Sequence, residues 1–317
     1  MIKRNSIVVT GGAGFIGSHL CEFLLKSGYN VICVDNFNNF YDPVIKEKNI
    51  SSILNNPGFT LSRTDIRNRG ELEILFERNN PCLVIHLAAM PGVRPSIEDP
   101  FLFFDINVTG TVSLLETMRK YNVINMIFAS SSSVYGNNSK VPFSESDIAD
   151  KQLSPYASSK RAGELLCYTY HSLYMFNISC LRFFTVYGPR QRPDLAIHKF
   201  TDRILDNKPI QIFGNGQTSR DYTYISDVVG AIHNSIRRLE GFNVYNIGES
   251  HPISLIRMIE TLENRLGIKA IKQFLPQQPG DVETTFADIT KARNELGYNP
   301  GFSFKEGIEQ FIRWKLQ

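Results

Sequence analysis

Thr10-Gly11-Gly12-Ala13-Gly14-Phe15-Ile16-Gly17 follows the apolar run Ser6-Ile7-Val8-Val9. The glycines are spaced G-x-x-G-x-x-G, directly after a short buried strand and at the head of a helical pattern that Gly28 stops. Each glycine has a physical task there. Gly11 permits a tight turn, Gly14 lets the backbone approach a pyrophosphate drawn to the helix N-terminus, and Gly17 lets helix and strand pack closely. Phe15 and Ile16 lie in the same turn and join the candidate cofactor contacts. Asp35 ends the second strand, Val31-Ile32-Cys33-Val34. A carboxylate at that place binds the two hydroxyls of an adenosine ribose and repels a 2′-phosphate. Asn36 and Phe37 follow it rather than an arginine, so NAD is expected over NADP, with Asn36 beside Asp35 at the ribose. Asp65-Ile66 after the third strand either brackets the adenine or caps a strand end. Leu87-Ala88-Ala89 ends the fourth strand with small residues on which a cofactor could lie flat. Asn107, polar within a helical pattern, either bonds a backbone carbonyl near the site or faces solvent.

Outward from that turn, apolar strands alternate with helical patterns. Strands are expected at Phe59–Ser62, Leu83–Leu87, Met126–Ala129 and Ile178–Phe184. Helices are expected over 14–27, 43–56, 100–121 and 155–175. Asp42 before Pro43 and Ser154 before Pro155 are good helix starts. The β-α-β-α order predicts an α/β fold with a doubly wound parallel sheet. After Pro189 the pattern loosens into short strands (Ile210–Phe213, Val244–Ile247, Ala270–Phe274) among helices over 195–206, 226–240, 254–266, 289–296 and 305–315. That half reads as a smaller α/β substrate domain over the carboxyl ends of the strands. The expected division is 1–188 for the dinucleotide-binding domain and 189–317 mainly for substrate, with strand contributions to the first from about 224–250.

The bulk numbers narrow the function classes. In 317 residues, 42% are apolar and 21% charged, and the net charge is +3 with scattered basic residues, so no nucleic-acid partner is expected. The five cysteines form no CxxC pair, so reduced core thiols are expected and no metal site. No apolar run reaches about 18 residues, so no membrane span is expected. Met1-Ile2-Lys3-Arg4 leads straight into a strand, which predicts no signal peptide and a cytoplasmic location.

Chemistry enters with Ser130-Ser131-Ser132-Ser133 and with Tyr156 and Lys160, one helical turn apart. A tyrosine can exchange its proton with an alcohol, and a lysine on the same helix face favours the phenolate. A serine hydroxyl can hold the substrate oxygen. With a nicotinamide nearby the trio reads as hydride transfer, the protein handling the proton. YxxxK alone occurs in many helices. Its place at the start of the helix after the fifth strand aims it at the sheet edge.

The glycine pattern, Asp35, the serines before Val134-Tyr135-Gly136, and Tyr156 with Lys160 resemble the extended short-chain dehydrogenase/reductase superfamily of nucleotide-sugar enzymes, over essentially the whole chain. Five segments resemble the UDP-glucuronate 4-epimerases in particular: residues 34–43 (VDNFNNFYDP), 87–94 (LAAMPGVR), 184–194 (FTVYGPRQRPD), 219–225 (SRDYTYI) and 278–282 (QPGDV). The resemblance implies Ser131, Tyr156 and Lys160 as catalytic. It implies Ser132, Ser133, Thr185 and Arg192 at a sugar carboxylate, Arg220 at the diphosphate and Phe213 at the uridine. Arg94, with Ser96, falls in a substrate-side loop, and Asp281 in the last segment joins the substrate contacts. The arginine that galactose-type epimerases carry before Gly280-Asp281 is replaced by Gln278-Pro279. Dehydratases and uronate decarboxylases carry an acid where this chain has Ser133. The resemblance thus implies NAD-dependent 4-epimerisation of UDP-glucuronate, with neutral UDP-sugars the nearest alternative and a non-catalytic NAD sensor the most distant. It also implies a homodimer joined through the helices over 100–121 and 155–175, whose aromatic residues core packing explains equally well.

Overall fold

The glycine turn lies at the middle of a seven-stranded parallel sheet in this computed structural model, which describes residues 6–276 and 283–317. In chain order the first half runs β1 (Ser6–Thr10), α1 (Phe15–Lys26), β2 (Asn30–Val34), α2 (Pro43–Ile50), β3 (Phe59–Ser62), α3 (Arg69–Asn79) and β4 (Leu83–His86). It continues with α4 (Val93–Glu98), α5 (Pro100–Phe104), α6 (Gly110–Lys120), β5 (Asn125–Ser131), α7 (Pro155–Tyr174), β6 (Asn177–Phe183) and β7 (Thr185–Tyr187). The second half contains α8 (Ala196–Leu205), β8 (Ile210–Phe213), β9 (Ser219–Tyr224), α9 (Ile225–Arg237), β10 (Phe242–Ile247), β11 (Pro252–Ser254), α10 (Leu255–Leu266), β12 (Lys272–Leu275), β13 (Thr284–Thr285) and α11 (Phe304–Lys315).

The large sheet has the order β10-β6-β5-β4-β1-β2-β3. Strand order reverses between β1 and β4, which opens a crevice beyond their carboxyl ends. Both faces of the sheet are covered. Along β1, Ile7 and Val9 join the core that holds Leu20 and Leu24 of α1, while Val8 joins the core that holds Leu72, Leu114 and Met118. Burial on both sides is why these strands are continuous apolar runs. At Gly17 an added Cβ would lie 2.2 Å from the Gly11 carbonyl oxygen, and at Gly163 it would lie 2.4 Å from the Phe128 ring. Bare backbone at these two positions sets how closely α1 and α7 approach the sheet.

Several expectations are corrected. The helix expected over 100–121 runs over 100–120 and widens into a π-type turn at Asp105–Thr109. The helix expected over 43–56 ends at Ile50 and tightens into a 3₁₀ turn at Ser51–Ile53. Helices α3 and α4 and strands β7, β9, β11 and β13 were not anticipated, since short or weakly periodic segments take their form from pairing partners. The helix expected over 289–296 is found at 290–296, widened into a π-type turn over Ala292–Leu296. The strand expected at Ala270–Phe274 is Lys272–Leu275. Strand β10, within the stretch 224–250, pairs in parallel with β6 at the edge of the large sheet. The other late strands form two small groups: β9 with β7, β11 and β13, and β8 with β12.

Candidate active site

A cleft of about 450 Å³ opens beyond the carboxyl ends of β1, β2, β4 and β5. Gly11, Gly14, Phe15, Ile16 and Gly17 line one wall, and Asp35, Asn36, Asp65 and Ile66 lie at the same end. Leu87, Ala88 and Ala89 form the floor, and Ser131, Ser132, Ser133, Tyr156, Lys160, Thr185 and Arg192 line the far end. The fold therefore brings together residues that are up to 181 positions apart in the chain, from Gly11 to Arg192.

The first end presents groups that could hold an adenosine and a pyrophosphate. A Cβ at Gly14 would meet only the Gly11 carbonyl at 3.2 Å and the Tyr41 hydroxyl at 3.9 Å, so the missing side chain leaves a cradle facing the cleft. That cradle fits a dinucleotide phosphate approaching the head of α1. The Asp35 carboxylate accepts from the backbone N–H of Phe37 (2.9 Å) and of Ala13 (3.3 Å). It also pairs with the buried Lys46 ammonium of α2 at 3.1 Å, a partner eleven residues on that the sequence reading missed. Lys46 in turn donates to Asn38 at 3.4 Å. Asp65 accepts from Asn36 (2.8 Å) and from Arg67, whose hydrogen bonds hold its carboxyl down at about 2.

The floor is fixed by a relay of polar groups. The Ala88 N–H donates to Thr10 Oγ1 (3.2 Å), which faces His86 Nδ1 (2.7 Å). His86 Nε2 faces Thr111 Oγ1 (3.0 Å), and Thr111 donates to the Asn107 carbonyl (2.6 Å). Burial pushes His86 down to about 3, so the imidazole is neutral, and Thr111 already spends its proton on Asn107. The ring proton therefore sits on Nε2, and Thr10 donates to Nδ1. Asn107 does not line the cleft. Its side chain accepts from the Met90 N–H (2.7 Å) and donates to the Met90 carbonyl (3.0 Å) and to Ser159 Oγ (2.9 Å). The π-type turn aims it inward, tying the loop after β4 to the first turn of α7.

The far end is assembled by β5 and α7. Ser154 caps α7 by accepting from the Ala157 N–H, with Pro155 as first residue, which presents Tyr156 and Lys160 to the cleft. Ser131 accepts from the Ser133 N–H and donates to Ser133 Oγ, both at 3.1 Å. Burial raises the Tyr156 phenol, opposed by its hydrogen bond to Ser131 and by the Arg192 charge. The lysine was expected to lower this tyrosine directly. Instead the Lys160 ammonium donates to the Ala129 carbonyl (2.8 Å) and sits 5.3 Å from the Phe128 ring centre, and burial brings it down to about 8. Ser130, the fourth serine of the run, donates to the buried Glu164 of α7 (2.6 Å).

Apart from Arg192, the remaining described candidates do not line the cleft. Arg192 reaches the cleft over the Phe40 ring and pairs through two 2.9 Å bonds with Asp194. Arg94 lies 4.8 Å from the centre of the Phe213 ring, joining the two substrate-side expectations to each other. Arg220, on β9, donates to the Ser219 carbonyl (2.9 Å). Ser96 is buried and donates to the Val93 carbonyl (2.6 Å), a bond internal to α4. Asp281 lies outside the described residues. No group of three metal-ligating side chains and no helix long and apolar enough to cross a membrane occurs among the described residues.

Comparison with known proteins agrees with this geometry. The family described as GDP-mannose 4,6-dehydratase matches residues 8–311. A UDP-glucuronate 4-epimerase of Thermodesulfobacterium geofontis is 44% identical, across 98% of this chain and 96% of that protein. The crystal structure of UDP-glucuronic acid 4-epimerase from Bacillus cereus, in complex with UDP-glucuronic acid and NAD, superposes with a TM-score of 0.93 at 40% identity, covering 98% of this chain and 100% of that one. The UDP-glucose 4-epimerase of Thermotoga maritima, with UDP-glucose, gives 0.91 at 33% identity over 98% of both chains.

Proposed function

The chain belongs to the GDP-mannose 4,6-dehydratase family of extended short-chain dehydrogenase/reductases, and from that membership we propose that it is an NAD-dependent isomerase that inverts C4 of a UDP-sugar, with UDP-glucuronate as substrate. One observation carries the choice of reaction. Asp35 and Asp65 are the carboxylates among the described lining residues, and both lie at the adenosine end. The far end offers hydroxyls (Ser131, Ser132, Ser133, Thr185) and cations (Lys160, Arg192), with no acid to protonate a leaving hydroxyl or to crowd a substrate carboxylate.

Ser131 holds the C4 oxygen, and Tyr156 as phenolate takes its proton. NAD, when bound, would supply the hydride acceptor for C4 and the donor that restores it. Between the two transfers the 4-keto sugar turns its other face to the site, and Tyr156 then reprotonates the oxygen. The keto acid would lose carbon dioxide if its C–CO₂ bond stood parallel to the carbonyl π orbitals. Ser132, Ser133 and Thr185 hold the carboxylate nearer the ring plane, which suppresses that loss. Arg192 supplies charge to the same carboxylate by leaving or sharing Asp194. Residues 1–188 with the strand from 224–250 serve the cofactor, and 189–317 mainly the nucleotide-sugar. The exposed Phe101 of α5 and the exposed Leu165 and Tyr168 of α7 support a homodimer joined through these helices.

The test is incubation with UDP-glucuronate, UDP-glucose and UDP-N-acetylglucosamine, followed by NMR of the products. Conversion of UDP-glucuronate to UDP-galacturonate is expected. A second reading, epimerisation of neutral UDP-sugars, draws on the Arg192–Asp194 pair, which leaves Arg192 already neutralised. Inversion of UDP-glucose alone would select it.

A further inference from the structure

Glu164 lies one helical turn beyond Lys160 on α7, and its side chain is 1% exposed. Four donors converge on its carboxylate: Ser130 Oγ (2.6 Å), Arg182 Nε and Nη2 (2.8 Å each) and Arg161 Nη1 (2.8 Å). Arg182 comes from β6, where it pairs in register with Ser130, and its guanidinium lies 4.7 Å from the centre of the Tyr135 ring. Tyr135 donates to Asn246 of β10 (2.7 Å). The network runs beneath the serine run, from α7 through β5 and β6 to the edge strand. We propose, building on the epimerase reading, that Glu164 is a positioning residue for the reaction: through Ser130 it fixes the end of β5 that carries Ser131–Ser133, and it is the buried counter-charge to the Lys160 ammonium.

Glu164 is the carboxylate among the groups around Lys160. The groups facing Lys160 and Glu164 are His86 of β4, Tyr156, Arg161 and Cys167 of α7, Cys180 and Arg182 of β6, and Tyr135. His86 is neutral, and burial raises the Cys180 thiol and the Tyr135 phenol, so none of these three is an anion near neutral pH. Burial pushes the Glu164 carboxyl up, but the Arg182 bonds and charge outweigh it and keep the group ionised. Lys160, drawn down to about 8 by burial, is held up by Cys167 and Glu164. Uncompensated, a buried ammonium gives up its proton and with it any hold on a phenolate.

The experiment compares wild type, Glu164→Gln and Ser130→Ala as NAD-loaded enzyme. In Glu164→Gln, kcat at pH 8 is expected to fall about tenfold with little change in KM, and its alkaline limb to move to lower pH. The titration of the Lys160 ¹³Cε signal, assigned by Lys160→Met, should move the same way, and this measurement needs no substrate. Ser130→Ala removes one hydroxyl and keeps the charge, so kcat falls a few-fold while the Lys160 titration stays put. If Glu164→Gln leaves the Lys160 titration and the alkaline limb in place, or if Ser130→Ala leaves kcat unchanged, the corresponding half of the proposal is overturned. A wild type that inverts no UDP-sugar overturns the function instead, and the ¹³C titration still decides the counter-charge.

Discussion

The two ends of the cleft are built from opposite chemistries. At the adenosine end two carboxylates line the cleft, each paired with a cation: Asp35 with Lys46, which lines the cleft beside it, and Asp65 with Arg67. At the far end the lining side chains are hydroxyls and cations, and the carboxylates sit behind them: Glu164 beneath Ser130, Asp194 beside Arg192. The adenosine end needs acceptors for ribose hydroxyls. The far end needs donors for a sugar oxygen and a carboxylate. Carboxylates that face the cleft at one end and stand behind its wall at the other separate recognition of the cofactor from chemistry on the substrate.

Breaking the far end should have the largest effect. Tyr156→Phe removes the proton acceptor, and kcat is expected to fall on the order of a thousandfold while NAD stays bound, as read by NMR product assay and by the absorbance of the purified protein. Asp35→Ala breaks the other end and leaves the Lys46 ammonium buried without its counter-ion. NAD affinity by calorimetry should fall roughly thirtyfold, and denaturant unfolding should show a loss of about 3 kcal/mol. The KM for the UDP-sugar at saturating NAD should hold. Arg192→Ala tests whether the far end reads charge: KM for UDP-glucuronate should rise about tenfold, as for loss of a charge-assisted bond, with little change for UDP-glucose. Thr185→Val should raise the same KM a few-fold and release decarboxylated sugar. If neither happens, the pinning of the carboxylate is wrong. The smallest effect is that of pH. Lys160 is an ammonium below its value of about 8 and is lost as pH rises through it, so kcat should fall no more than about twofold between pH 7 and 8 and steeply above.

The central strands were legible because each is buried on both faces and carries its own apolar run. Strand β3 was expected and found at Phe59–Ser62, and β8 at Ile210–Phe213. The short strands β7 and β11 carry three residues each, too few to show a period, and they exist because β9 offers them a pairing edge. Val244–Ile247 read as a strand, but nothing local shows that it completes the large sheet beside β6. Tyr156, Lys160 and the glycine turn were legible from spacing alone. Lys46 was not, because eleven residues separate it from Asp35 and only the packing of α2 brings them together. Glu164 left one signal, its i+4 spacing from Lys160, but its meaning depends on Arg182 of β6.

The sequence by itself determined the parallel α/β fold, the dinucleotide turn, the candidate proton-transfer residues and the preference for an unphosphorylated ribose, because these rest on local periodicity, short spacings and the character of single side chains. Only the tertiary structure decided which carboxylates face the cleft and which stand behind it, that Lys160 reaches the Ala129 carbonyl, and that Asn107 holds Met90 rather than facing solvent. Those outcomes depend on contacts between elements far apart in the chain, and on burial, which sets protonation and is not a property of any single segment.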